Sequence, residues 1–254
     1  MADPMATLAD FHPLAWSRRP KTIKEVTCCH NVRNPSFWPT FSRKFIFLCA
    51  EVYFPAYCVY SLLVNASELQ ENLRILGELL ESRELGYQIL AIGGGALLLR
   101  GLMKRPTADI DIVAFGDAGR FVVAHELPAE LLHAVADVAS LRRVPENWLN
   151  SAPADLFRLG MPPGYEARLD VAKFGALTVY SVGRYDQICF KLQAWVDRYP
   201  GGEKHLADLR LLEPTNDELI TAAKWSRTHD PSEGFLMGVL GALRLLGVEN
   251  PGDI

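Results

Sequence analysis

Two aspartates one residue apart, Asp109 and Asp111, and three consecutive glycines upstream, Gly93, Gly94 and Gly95, are the residues whose types and spacing could do chemistry. The segment Asp109-Ile110-Asp111-Ile112-Val113 alternates as a strand does, so both carboxylates project from one face while the aliphatic residues serve mainly the apolar side. Like charges side by side raise each other's pKa. A hard divalent cation taking oxygen ligands is their natural counter-charge. The glycines follow an apolar run and precede a helical one, so the backbone there can come close to a ligand. The helix beyond offers free N–H groups and a positive dipole end, which suits phosphate. Mg²⁺ bridging carboxylates and substrate phosphates is a recurring arrangement in phosphoryl transfer. Alone, the glycines read as a tight turn and the aspartates as a solvated strand face. Together, in this order, they point to a phosphate cradle followed by a metal platform. Neither a P-loop nor a dinucleotide fingerprint fits: Gly95 to Gly101 lacks the Lys-Ser/Thr ending, and Leu98 stands where a third glycine is needed.

The elements that must position these residues are legible around them. Leu69, Leu73, Leu76 and Leu80 fall at helical spacing, with Ser67 and Gln70 as a capping box and Gly86 as the stop. Residues 87–92 read as a buried strand, 93–95 as a turn, 96–102 as a helix start, 104–108 as a polar connection and 109–113 as an alternating strand. A helix is expected over 128–139, a proline-rich loop over 145–164, and strands over 166–174 and 177–182. The rest reads as helices at 185–199, 203–212, 217–225 and 234–246, with Thr215 and Glu218 as a second capping box. The fold class is therefore α/β (α+β), a small mixed sheet with flanking helices and a helical C-terminal part. The expected domains are 64–183 for the α/β part and 184–254 for the helical part.

Residues 1–63 hold four of the five cysteines and no periodic pattern, and are expected to be a disordered or non-native extension, read from a start placed too early. The rival is a disordered arm with a hydrophobic anchor at 45–64. Glu51 and Pro55 weaken a membrane span there. The chain of 254 residues is near half hydrophobic, enough for a core, which excludes global disorder. Its formal charge of −4 argues against non-specific coating of nucleic acid. The odd cysteine count without regular spacing is no disulfide framework, and a cytoplasmic setting is the default.

Gly93-Gly94-Gly95 followed by Arg105-Pro106-Thr107-Ala108-Asp109-Ile110-Asp111-Ile112 resembles the signature of the polymerase-β-type nucleotidyltransferase superfamily. The segments from Asp186 to Ala194, containing Lys191, and from Lys204 to Leu209, containing Asp208, are similar to later motifs of the nucleotidyltransferase toxins of type IV toxin–antitoxin (abortive infection) systems. Trp148-Leu149-Asn150 and Pro163-Gly164 are closer still to small uncharacterised bacterial proteins related to those toxins. The resemblance covers residues 66 to about 247. It implies a nucleotidyltransferase fold and transfer of a nucleoside monophosphate from an NTP to an RNA end, a protein or a small molecule, with a cognate antitoxin as partner. It implies two Mg²⁺ held by Asp109, Asp111 and a third carboxylate, for which Asp170 is the candidate and Glu166 the runner-up. Gly93, Gly94, Gly95, Arg105 and Thr107 would bind the nucleotide, and Lys191 would reach its phosphates. The residues alone leave Lys191 open as a snorkelling lysine, Arg105 as a loop arginine, and Asp208 as a solvated residue. His205 departs from the toxin pattern, which has Asp after the Lys at 204. The alternative is a catalytically inactive domain that binds nucleotide or a protein partner.

Overall fold

The computed structural model describes residues 63–252 and 254. The expectations for 1–63 fall, Leu63 apart, outside the described residues. The first helix, α1 (Ala66–Ser82), buries Leu69, Leu73, Leu76 and Leu80 as their spacing predicts. Its cap differs from the expectation. Asn65 Oδ1 accepts from the Glu68 N–H at 3.0 Å, and the Glu68 carboxylate accepts from the Asn65 N–H at 2.8 Å. The same reciprocal box thus forms two residues before Ser67, because Asn65 has the acceptor and Glu68 the matching carboxylate. The helix also ends before Gly86, with Glu84 taking the left-handed conformation at φ 57°.

A six-stranded mixed sheet follows. Its strands are β1 (Tyr87–Ile92), β2 (Ile110–Asp117), β3 (Arg120–Val123), the two-residue β4 (Leu149–Asn150), β5 (Asp170–Phe174) and β6 (Leu177–Ser181). The order is β3-β2-β1-β6-β5, with β4 pairing β2 in parallel at the end where β2 begins. The central β1 runs parallel to β6 and antiparallel to β2. Ile89, Leu90, Ala91 and Ile92 are all buried, which is why the strand reads as a continuous apolar run rather than an alternating one. The β2–β3 hairpin was not expected. Its turn places Ala118 and Gly119 at positive φ, the twist that a two-residue hairpin loop requires. The expected strand over 166–174 divides into a 3₁₀ turn, Tyr165–Arg168, and the shorter β5.

The glycines do not form a free turn; they are the first turn of α2 (Gly93–Leu99). The other helices are α3 (Ala129–Arg142), α4 (Asp155–Leu159), α5 (Arg184–Asp197), α6 (Glu203–Leu211), α7 (Asn216–His229) and α8 (Glu233–Leu245). The Thr215–Glu218 capping box of α7 forms as expected. Helix α1 packs on α3, β5 and β6, while α5 contacts α6, α7 and α8 and also rests on α2. That last contact ties the helical part to the glycine run. Val64 is buried and pairs its backbone with Thr107, fixing the connection that leads into β2. Trp148, wholly buried, donates its indole N–H to the Val135 carbonyl at 3.1 Å and anchors β4 beneath α3. Among the described residues no helix is long and apolar enough to cross a membrane.

Helix α1 approaches the β5–β6 turn so closely that a Cβ at Gly77 would fall on the Phe174 carbonyl oxygen. Gly77→Ala is expected to lower the unfolding free energy by about 2 kcal/mol or more, as overpacking against backbone does. Denaturant titration reads this directly, and an unchanged midpoint would contradict the packing.

Candidate active site

Three elements converge where β1 ends and β2 begins. The packing of α2 onto β2 sets the geometry. A Cβ at Gly93 would lie 2.6 Å from Asp111 Oδ2, one at Gly94 2.8 Å from Thr107 Oγ1, and one at Gly95 2.8 Å from the Ile110 Cα. A side chain at Gly95 would push the helix off the strand, one at Gly93 or Gly94 would displace the Asp111 or Thr107 side chain, and Gly93 also takes φ +74°, which favours glycine. The first turn of α2 is thereby pressed against the Asp111 carboxylate.

Asp109 and Asp111 are both half-buried. Asp109 precedes β2 and lies 3.4 Å from the Thr107 hydroxyl, which donates to it. Burial, and secondarily the Asp109 charge, push the Asp111 carboxyl up to about 6. A hydrogen bond from the Asn150 side chain and the nearby charges of Lys191 and Lys204 oppose that rise.

Helix α5 brings the cation. Gln187 and Lys191 are four residues apart and share a helix face. The Gln187 side chain pairs with the Gly93 backbone in both directions, Nε2 donating to the carbonyl at 3.4 Å and Oε1 accepting from the N–H at 3.2 Å. One turn on, Lys191 Nζ donates to Asp208 Oδ2 at 2.8 Å, with Lys191 only 5 % and Asp208 2 % exposed. Arg105 donates to the other oxygen, Asp208 Oδ1, at 2.7 Å. Asp208 thus bridges two cations, and their bonds hold its carboxyl below the usual range even though burial acts the other way. A buried ion pair keeps its geometry because removing either partner strands a charge out of water. At the head of α5, Asp186 accepts from Arg168 at 2.5 Å and from the Gly183 N–H at 2.9 Å, which fixes where the helix starts.

The structure therefore brings together Gly93, Gly94, Gly95, Thr107, Asp109, Asp111 and Lys191, with Arg105 joined through Asp208. It does not bring Asp170 to them. Asp170 is exposed on the edge strand β5, separated from β2 by β6 and β1, or about 14 Å at ordinary strand spacing. Its register with Ser181 and Ala91 also sets it in line with Ile112, on the face opposite Asp111. The expectation failed because alternation along one strand says nothing about which strands are neighbours. Glu166 is exposed on the 3₁₀ turn. Among the described residues, no group of three or more His, Cys, Asp or Glu side chains could hold a metal ion. Two carboxylates on one short segment still supply hard oxygen ligands, and Asp111, raised in pKa, is left with a charge that a cation would neutralise. The residues fit a divalent cation to that extent.

Sequence reasoning missed Gln187 and Asn150. Both lay in segments whose resemblance was noticed, but only tertiary contact gives them a partner. An apolar cavity of about 230 Å³ between α5 and α8, lined by Trp195, Tyr199 and Met237 among others, lies away from these groups. Its lining carries no titratable pair, so chemistry rather than volume selects the carboxylate site.

A family model described as a nucleotidyltransferase of unknown function (DUF6036) matches residues 69–198, just over half of the chain. The chain belongs to this family. The match to the nucleotidyltransferase family takes in the glycine run, both aspartates, Asn150, Gln187 and Lys191, and ends before Asp208. No curated protein and no solved structure matches the chain.

His205, buried on α6, sits where the toxin pattern has a carboxylate. Burial, then the charges of Lys191, Arg198 and Lys204, push its pKa down to about 4. Unfolded, the imidazole would take a proton near pH 6.5; folded, it does not until about pH 4. Stability from this group is full above pH 6.5 and is lost as the pH falls towards 4. Asp111 acts in the opposite sense from its ordinary 3.8 up to about 6, so the variant comparison isolates the histidine. His205→Gln is expected to flatten the acid-side loss of Tm over this window. Parallel profiles for the two proteins would refute the assignment.

Proposed function

We propose that this nucleotidyltransferase-family chain transfers a nucleoside monophosphate from an NTP to an acceptor hydroxyl, with Mg²⁺ held by Asp109 and Asp111. The observation that carries the reading is the Asp111 carboxylate, raised in pKa, between the glycine-built first turn of α2 and the locked Lys191–Asp208 pair. The cation would neutralise charge on the phosphate oxygens and so lower the barrier to attack on phosphorus. The free N–H groups of the first α2 turn, at Gly94 and Gly95, would receive the donor's phosphates. Asp208 holds the Lys191 ammonium in place, so its charge needs no reorganisation as negative charge builds on the leaving pyrophosphate. Arg105, half exposed and tethered at one end by Asp208, can reach a phosphate with its free donors. Thr107 would keep Asp109 oriented. Transfer forms the acceptor O–P bond and breaks the bond to the departing pyrophosphate. The acceptor is an RNA end, a protein or a small molecule. A toxin-like role with a cognate antitoxin is supported only by the resemblance of the segments around Lys191 and Asp208.

A second reading, an inactive domain that binds nucleotide or a partner protein, is favoured by one observation: no third carboxylate stands beside Asp109 and Asp111 among the described residues.

Thermal unfolding of the full chain, titrated with ATP, GTP, CTP and UTP with and without Mg²⁺, tests the first reading. At least one nucleotide is expected to raise Tm only when Mg²⁺ is present, by the equivalent of about 2.7 kcal/mol at a hundredfold excess over Kd. The shift should vanish in the Asp109→Ala/Asp111→Ala variant. No shift with any nucleotide would sink it. A shift without pyrophosphate release against any acceptor would favour the second reading.

A further inference from the structure

Within the sheet, two residues flank Asp111. The register sets Ile92 of β1 on one side and Asn150 of β4 on the other. Side chains in register point to the same face, about 5 Å apart. Ile92 has no ligand atom, so a third ligand drawn from a strand beside Asp111 could come only from Asn150. The orientation of the Asn150 amide is fixed by its own bonds. Its Oδ1 accepts from the Ala152 N–H at 3.0 Å. A backbone N–H only donates, so that atom must be the oxygen. The amide nitrogen therefore lies on the other side, where it donates to the Asn147 carbonyl at 3.4 Å, and the β2–β4 pairing sets Asn150 directly beside Asp111. An amide nitrogen bearing two hydrogens gives no lone pair to a cation. The one polar side chain next to Asp111 in the sheet thus has its oxygen engaged by the Ala152 N–H and leaves only its amide nitrogen to face other groups.

We propose that Asn150 is a positioning residue that stands in the place of a third carboxylate, orients Asp111, and limits the site to one divalent cation. This inference rests on the reading of Asp109 and Asp111 as metal ligands. The charges agree with it. Two carboxylates balance one divalent ion, and the next carboxylate, Asp208, is committed to Lys191 and Arg105. Asp170 stands on the far edge of the sheet. A carboxylate in place of Asn150 would still accept from the Ala152 N–H and would leave its second oxygen for a cation.

Equilibrium binding of Mn²⁺ to the full chain, with free ion counted by electron paramagnetic resonance, tests this without reference to activity. The wild-type protein is expected to bind one Mn²⁺ per chain, lost in Asp109→Ala/Asp111→Ala. Asn150→Asp is expected to take up a second ion. Asn150→Ala, which removes the amide beside Asp111 together with its bonds to Ala152 and Asn147, is expected to weaken the single site by about tenfold or more at unchanged Tm, as loss of an outer-shell partner does. Two ions on the wild-type protein would overturn the proposal. So would one aspartate-dependent ion with unchanged stoichiometry in Asn150→Asp and unchanged affinity in Asn150→Ala; that result would leave the metal-site reading standing. No Mn²⁺ bound by the wild-type protein, or binding indifferent to Asp109 and Asp111, would fell the metal-site reading and this inference together.

Discussion

The site depends on a close approach that only hydrogen allows. Helix α2 lies on β2 at a distance where the α-hydrogens of Gly95 fit and a methyl group would meet the Ile110 backbone, while Gly93 and Gly94 leave room for the Asp111 carboxylate and the Thr107 hydroxyl. Everything else follows from that contact. It sets the first turn of a helix, with its free N–H groups, against a carboxylate. It also presents the Gly93 backbone to Gln187, and so fixes the rotation of α5. Once Gln187 is docked, helical geometry puts Lys191 one turn further along the same face, close enough for its charge to be felt at Asp111.

Electrostatics then divides the acidic groups into two kinds. Asp208 and Asp186 are buried but fully engaged, the first by Lys191 and Arg105, the second by Arg168 and the head of α5. Their burial is offset by charge-assisted bonds. Asp111 is different. It has no ion-pair partner among the described residues, stands beside the neutral Asn150 in the sheet, and shares its surroundings with Asp109. Among the described residues, Asp186 and Asp208 are paired, whereas Asp111 is left short of a counter-charge. It lies beside the glycine run.

The helical part contributes to the site as well as covering it. The head of α5 is pinned by Asp186, and its flank carries Gln187 and Lys191. Helix α6 returns Asp208 to Lys191 and sets His205 beside Arg198, the Arg198 guanidinium lying 2.7 Å from His205 Nε2. The last strand ends at Ser181 and α5 begins at Arg184, and the chemistry straddles that point.

The sequence by itself determined the local elements: the leucine spacing of α1, the continuous apolar run of β1, the alternation at Asp109–Asp111 and the capping box at Thr215. These depend on residues within a few positions of one another, and periodicity and capping record that. It also supplied the glycine run and the paired aspartates as a candidate site. Tertiary structure alone decided which polar residues share that site. Asp170 has the right type on a strand, yet sheet order places it at the far edge. Asn150 looked like part of a loop, yet a two-residue pairing sets it against Asp111. Gln187 and Asp208 acquired roles only when α5 met the glycine turn and α6 folded back. Strand order and helix docking are fixed by the burial of whole faces at once, a cooperative sum over distant residues, so no short window of sequence carries them.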